Sequence, residues 1–173
     1  FPITEDKFLL KFLGKTLLEH QIELAKSVKI NEFVIVANEF NQKQIKDVCE
    51  RSKIKYKIAI QKDPKGMADA LLSAEKLLDN EIIIAGPNDL IDKSAYELLL
   101  KDKSKSDVVI VGHKIKSYFP GGYLVVDRND FLKEIVEKPV PGKEPSDTVN
   151  IVLHLHKDIK KFNRVIGDLF RCI

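Results

Sequence analysis

A chain of 173 residues, 44% hydrophobic and 32% charged, is long enough to bury a full core in one domain and to fold without disulfide or metal staples. Its net charge of +3 comes from 29 basic and 26 acidic residues that are interleaved, with no basic block threaded by aromatics, so a nucleic-acid surface is not indicated. No stretch reaches the roughly 18 apolar residues of a membrane span, and the first residues lack the pattern of a signal peptide, which makes a cytoplasmic protein without a membrane partner the expectation.

The first periodic segment carries Leu17, Leu18, Ile22, Ala25 and Val28 at helical spacing, and a short β-branched strand follows at 33–37. The same alternation then repeats. A helix bearing Ile45, Val48 and Cys49 precedes a strand at 56–60. A helix bearing Met67, Ala70, Leu71, Ala74, Leu77 and Leu78 precedes a strand at 82–85, and a helix around 96–100 precedes a strand at 108–111. Continuously apolar strands between amphipathic helices predict an α/β fold, a Rossmann-like, mostly parallel sheet with helices on both faces. After Gly112 the texture changes: runs at 123–126, 134–136 and 149–155 are separated by Pro139, Pro141 and Pro145 and read as antiparallel additions. No linker divides the chain, so a single domain over 1–173 is expected. Cys49 and Cys172 have no metal-ligand spacing and are expected to be reduced thiols.

Ligands of open α/β sheets sit beyond the carboxyl ends of the strands, so the residues after each apolar run are the candidates. Gln61 ends the second run and leads a loop containing Gly66. Its amide offers a donor and an acceptor together, which suits a pyrimidine edge, and Gly66 lets the backbone approach a ligand; the alternative is an ordinary strand-to-helix turn with a solvated glutamine. Asp89 follows the third run, where it either presents a carboxylate to a hard cation such as Mg²⁺ or caps the next helix, a place for which Asp92 is better positioned. Glu137-Lys138-Pro139 follows a later run and is either a surface ion pair or, with a phosphate substrate, an anchor. His154 and His156 share one face of a strand, but a third metal ligand is not evident. No Ser/His/Asp or Cys/His set supports covalent catalysis.

In order along the chain, these segments resemble the sugar-1-phosphate nucleotidyltransferases, the α/β enzymes that make nucleotide sugars. Pro2-Ile3-Thr4, Lys7-Phe8-Leu9-Leu10 and Gly14-Lys15-Thr16-Leu17-Leu18 resemble that family's opening blocks. Residues 61–70 resemble its Gln-x-x-Pro-x-Gly-x-Ala-x-Ala base-binding loop, and Glu137-Lys138-Pro139 its Glu-Lys-Pro motif. The resemblance implies Asp89 as the magnesium ligand, Lys7 at the triphosphate, Gln61 and Gly66 at the base, and Gly122, Glu137, Lys138 and Asn150 at the sugar phosphate. It implies transfer of a nucleotidyl group from UTP or dTTP to a sugar 1-phosphate with release of pyrophosphate and with Mg²⁺ as cofactor, and it leaves room for a homo-oligomer. A cytidylyltransferase acting on a non-sugar phosphate and a non-catalytic nucleotide- or sugar-phosphate-binding relative are the alternatives. Three departures accompany the match. The family's first strand and Gly-x-Gly-x-x-x-Arg loop are expected just before Phe1, the segment from Thr4 to Lys7 is about two residues short of the family spacing, and Val152 and His154 stand where Gly and Tyr are usual.

Overall fold

The computed structural model of the chain describes residues 6–63 and 65–171; Pro2, Ile3 and Thr4 of the opening block, Pro64 and Cys172 lie outside them. A 3-10 turn, Lys7–Leu9, leads into a small hairpin of β1 (Lys11–Phe12) and β2 (Lys15–Thr16). Helix α1 (Leu17–Ser27) begins there because Thr16 and Glu19 form a capping box: Thr16 Oγ1 accepts the Glu19 N–H at 3.1 Å, and Glu19 Oε2 accepts the Thr16 N–H at 2.7 Å. One face of α1, Leu18, Gln21, Ile22 and Ala25, is buried.

Strands β3 (Glu32–Ala37) and β4 (Lys55–Ile60) pair in parallel, Ile35 beside Ile58 and Ala37 beside Ile60, with α2 (Gln42–Ser52) as the crossover. Leu18, Ile22, Ala37, Ile45, Val48 and Cys49 form the core between them. Burial there pushes the Cys49 thiol up to about 11, so it is an inert core residue. Helix α3 (Met67–Ala74) is shorter than its apolar pattern predicts, because the last turn tightens into a 3-10 turn, Glu75–Leu77.

The second half is organised around one strand. The remaining elements are β5 (Ile82–Ala85), α4 (Lys93–Leu100), β6 (Val108–Lys114), β7 (Gly122–Val126), β8 (Leu132–Glu137), β9 (Thr148–His156) and α5 (Ile159–Arg171). Strand β9 pairs antiparallel with β6 along one edge; along the other it pairs with β5 near its end and with β7 at Val149. Consequently β5 and β6 run in the same direction, as the helix–strand alternation predicts, but do not touch, since β9 occupies the place between them. Ile151, Leu153 and Leu155 alternate toward one face, where Tyr96, Leu99, Val111, Leu153 and Leu155 form a second core. Asn150, Val152, His154 and His156 project to the other face, where Phe162 of α5 packs edge-on against His156 with ring centroids 4.4 Å apart. Among the described residues, strand β8 pairs only with β7 and lies at the sheet edge.

Candidate active site

The carboxyl ends of β3, β4 and β5 lead into the loops that carry the candidates, a rim held by three contacts. Asn41, at the start of α2, donates to Asp6 Oδ2 at 2.6 Å, tying the Lys7–Leu9 turn to the end of β3. The Gln61 N–H donates to the Ala37 carbonyl at 2.8 Å, which aligns the end of β4 with it. One turn into α1, Gln21 donates through Nε2 to the Gly86 and Asp89 carbonyls, each at 2.6 Å. Gln21 is 8% exposed, so this amide is a buried clamp on the loop that presents Asp89. It falls on the apolar stripe of α1 with Leu18, Ile22 and Ala25, and a glutamine in that register is the signal that sequence reasoning passed over.

Of the two readings of Asp89, helix capping is excluded. Asp92 caps α4 instead: its Oδ1 accepts the Ser94 N–H at 2.8 Å and the Ser94 hydroxyl at 2.5 Å, and these bonds hold its carboxyl below the usual carboxylate range. Asp89 is left exposed on its loop. Among the described residues there is no group of three or more His, Cys, Asp or Glu arranged to hold a metal, and His154 and His156 form no such set. A lone carboxylate is nevertheless the donor that suits Mg²⁺ when the rest of its shell is substrate phosphate and water.

The loop after β4 is closed on itself. Gly66, at φ +100°, adopts a conformation that side-chain-bearing residues avoid, which turns the chain into α3. Gln61 Nε2 donates to Asp69 Oδ2 at 2.5 Å and to the Gly66 carbonyl at 3.3 Å. The expectation that Gln61 offers a donor and an acceptor together is therefore corrected: the donor half is spent inside the loop, and the acceptor is what remains. Asp69 stands at a variable place of the loop pattern, so the sequence carries no signal for it.

The second group assembles around β7, β8 and β9. Gly122 pairs with Glu137 across the β7–β8 ladder. A Cβ on Gly122 would lie 3.0 Å from Glu137 Oε2, 2.9 Å from Ile135 Cγ2 and 4.0 Å from Asn150 Cβ, so these residues converge on one spot and any side chain there would displace Ile135. Lys138 has φ +45°, a left-handed conformation in which a non-glycine residue carries strain, and its N–H donates to the Gly121 carbonyl at 3.0 Å. Its Nζ is 4.0 Å from Glu137 Oε1, with both side chains exposed.

Asn150 gains a partner that the period-two reading of β9 does not suggest. His154 Nε2 lies 3.0 Å from Asn150 Oδ1, although four residues of an extended strand span about 13 Å. The reason is a register shift: between Ile110 and Gly112 on β6, β9 advances from His154 to Asn150, so extra residues bulge out and draw the two side chains together. Burial lowers the His154 pKa, so the ring is neutral near pH 7. Because Oδ1 can only accept, this contact takes the tautomer protonated at Nε2 and leaves the Asn150 amide nitrogen out of it.

The structure thus gathers Gly122, Glu137, Lys138 and Asn150 into one group and Gln61 and Gly66 into another. Asp89 follows β5, whose Gly86 N–H donates to the Val152 carbonyl of β9 at 2.7 Å. Lys7 belongs to neither group and is exposed on the turn before the hairpin. No helix among the described residues is long and apolar enough to cross a membrane.

Comparison with known proteins places the chain in a family. A family model described as nucleotidyl transferase matches residues 1–158. The bifunctional protein GlmU of Buchnera aphidicola subsp. Schizaphis graminum is 34% identical over 136 residues, covering 76% of this chain and 28% of the relative. A bifunctional sugar-1-phosphate nucleotidylyltransferase/acetyltransferase of Sulfurisphaera tokodaii is 32% identical over 159 residues, covering 90% and 37%. The chain therefore spans about a third of the length of these curated relatives. Among solved structures, a putative glucose-1-phosphate thymidylyltransferase from Bacillus anthracis superposes with TM-score 0.78 at 16% identity over 94% of this chain and 67% of that one. An apo UDP-glucose pyrophosphorylase superposes with TM-score 0.73 at 17% identity over 96% and 74%. At such identities the structural matches establish the fold, and the family model, covering nearly the whole chain, establishes the lineage: the chain belongs to the nucleotidyl transferase family, as its resemblance to the sugar-1-phosphate nucleotidyltransferases implies.

Proposed function

We propose that residues 1–173 form a single nucleotidyltransferase domain of a cytoplasmic enzyme that joins a pyrimidine nucleotide, from UTP or dTTP, to a sugar 1-phosphate and releases pyrophosphate. The observation that carries this reading is the convergence of Gly122, Glu137, Lys138 and Asn150, on the sheet whose β5 end leads to Asp89. Such groups at the ends of strands suit a reaction between two bound phosphates, in which a phosphate oxygen of the sugar phosphate attacks the α-phosphorus and no covalent enzyme intermediate is needed.

Each residue then has a distinct task. Lys138 holds the acceptor phosphate as a point charge, Glu137 accepts a sugar hydroxyl, and Asn150, oriented by His154, donates to another. Gly122 leaves room for the sugar ring. Gln61 and Gly66 receive the base, and Lys7 stabilises the triphosphate. Asp89, on the loop clamped by Gln21, is the residue that would hold Mg²⁺, which supplies charge neutralisation at the phosphates. Because no side chain forms a bond to substrate, the protein's contribution is alignment and preorganised charge.

The test is pyrophosphate release by the purified protein over a panel of nucleoside triphosphates and hexose and amino-sugar 1-phosphates. The expected result is release that requires both substrates, a divalent cation and a pyrimidine nucleotide. Nucleotide binding without release for any acceptor would instead indicate a non-catalytic relative.

A further inference from the structure

The closed loop around Gln61 carries a statement about base selection that the motif alone does not contain. A primary amide is reversible in principle: rotated by half a turn, it presents nitrogen where it had presented oxygen. Gln61 cannot rotate freely, because Nε2 faces two oxygens that only accept, Asp69 Oδ2 at 2.5 Å and the Gly66 carbonyl at 3.3 Å. Turning the amide over would set Oε1 against a carboxylate and a carbonyl, leaving both unsatisfied and repelling. Its backbone is equally fixed, with its N–H on the Ala37 carbonyl, and Asp69 is fixed by its place in the first turn of α3. Gln61 therefore offers the site Oε1, an acceptor, and nothing else.

Pyrimidines differ at the atom such an acceptor would meet. Uracil and thymine carry a hydrogen on N3, whereas cytosine N3 is a lone pair that would oppose Oε1. We propose that Asp69 is a positioning residue for base specificity: by locking the Gln61 amide it makes the site select an N3–H and reject cytosine nucleotides. This rests on the reading that Gln61 contacts the base, and it deepens that reading by naming what sets the polarity of the contact. It also argues against the cytidylyltransferase alternative.

Asp69→Asn tests it with little change of shape. Asparagine can donate as well as accept, so either orientation of the Gln61 amide finds a partner. Calorimetric titration of UTP, CTP, dTTP and dCTP into wild type, Asp69→Asn, Asp69→Ala and Gln61→Ala provides the readout, with thermal melting to confirm folding. The wild type is expected to prefer UTP to CTP and dTTP to dCTP, and Asp69→Asn to lower those ratios by about tenfold. Asp69→Ala, which leaves only the weaker Gly66 restraint, is expected to lower them less. Unchanged ratios in both Asp69 variants, with UTP binding weakened by Gln61→Ala, would overturn the role of Asp69 while sparing the base contact. Unchanged affinities in Gln61→Ala would overturn the base contact and this inference together, as would a wild type that binds CTP as tightly as UTP.

Discussion

The two halves of the molecule build their parts of the rim by different means. In the β3–β4 half, each strand connects to the next through one helix, pairing is parallel, and Gln61 reaches the rim because it is the residue after β4. In the β9 half, partners come from far apart in sequence: Gly122 meets Glu137 and Asn150, and Gly112 pairs with Asn150 across a bulge. The first arrangement follows from local periodicity. The second is decided by which long apolar strand wins the central place, and it puts buried polar groups, His154, His156 and Asn163, into the sheet and its covering helix. The comparison teaches that Gln61 and Gly66 are positioned by connection, and Gly122, Glu137 and Asn150 by long-range pairing.

The sharpest way to break the picture is Asp89→Asn, since Asp89 stands at the junction of the halves. Shape is kept and charge removed, so turnover is expected to fall by roughly a hundredfold or more, while circular dichroism and melting temperature stay unchanged because the side chain is exposed. Near-normal turnover would remove Asp89 from the site.

Acid should separate the halves energetically. Burial, with a smaller contribution from His154 nearby, lowers the His156 pKa from 6.5 to about 4, and both ring nitrogens are buried without partners among the described residues. As pH falls from 6.5 toward 4 the unfolded chain takes up a proton that the folded chain refuses, so stability declines across that window; the loss amounts to about 3 kcal/mol when complete. His156→Phe should flatten this slope in urea denaturation at pH 7 and pH 4.5. An equally steep slope in the variant would mean that other groups carry the acid sensitivity.

Gln21→Leu sharpens the comparison from the α1 side. Its buried Nε2 satisfies two carbonyls, and removing it is expected to cost about 1 to 3 kcal/mol of stability by chemical denaturation. Turnover should fall further than melting behaviour suggests, because the Asp89 loop loses its clamp. A stability loss with unchanged kcat would confine Gln21 to the core.

What the sequence made legible follows the same division. The crossover helices and strands are read from periods of 3.6 and 2, and Asp92 over Asp89 as the cap of α4 follows from its place before the helix. Gly122, Glu137 and Asn150 are legible only as motif members, since nothing in their spacing says that they touch. The insertion of β9 between β5 and β6 is invisible because apolar runs announce strands but not partners. The Asn150–His154 contact depends on a bulge, and the polarity of Gln61 depends on Asp69, a choice the pattern of the loop does not constrain.

The central claim is that the rim has a base side and an acceptor-phosphate side, and crossed calorimetry measures it most directly. Glucose 1-phosphate and UTP are titrated separately into wild type, Lys138→Ala and Gln61→Ala. A charge-assisted bond to phosphate is worth roughly 1.5 to 3 kcal/mol, so Lys138→Ala should weaken glucose 1-phosphate about tenfold to hundredfold and leave UTP nearly unchanged. Gln61→Ala should weaken UTP and leave the sugar phosphate unchanged. If each variant instead weakened both ligands equally, or neither, the division of the rim would be contradicted.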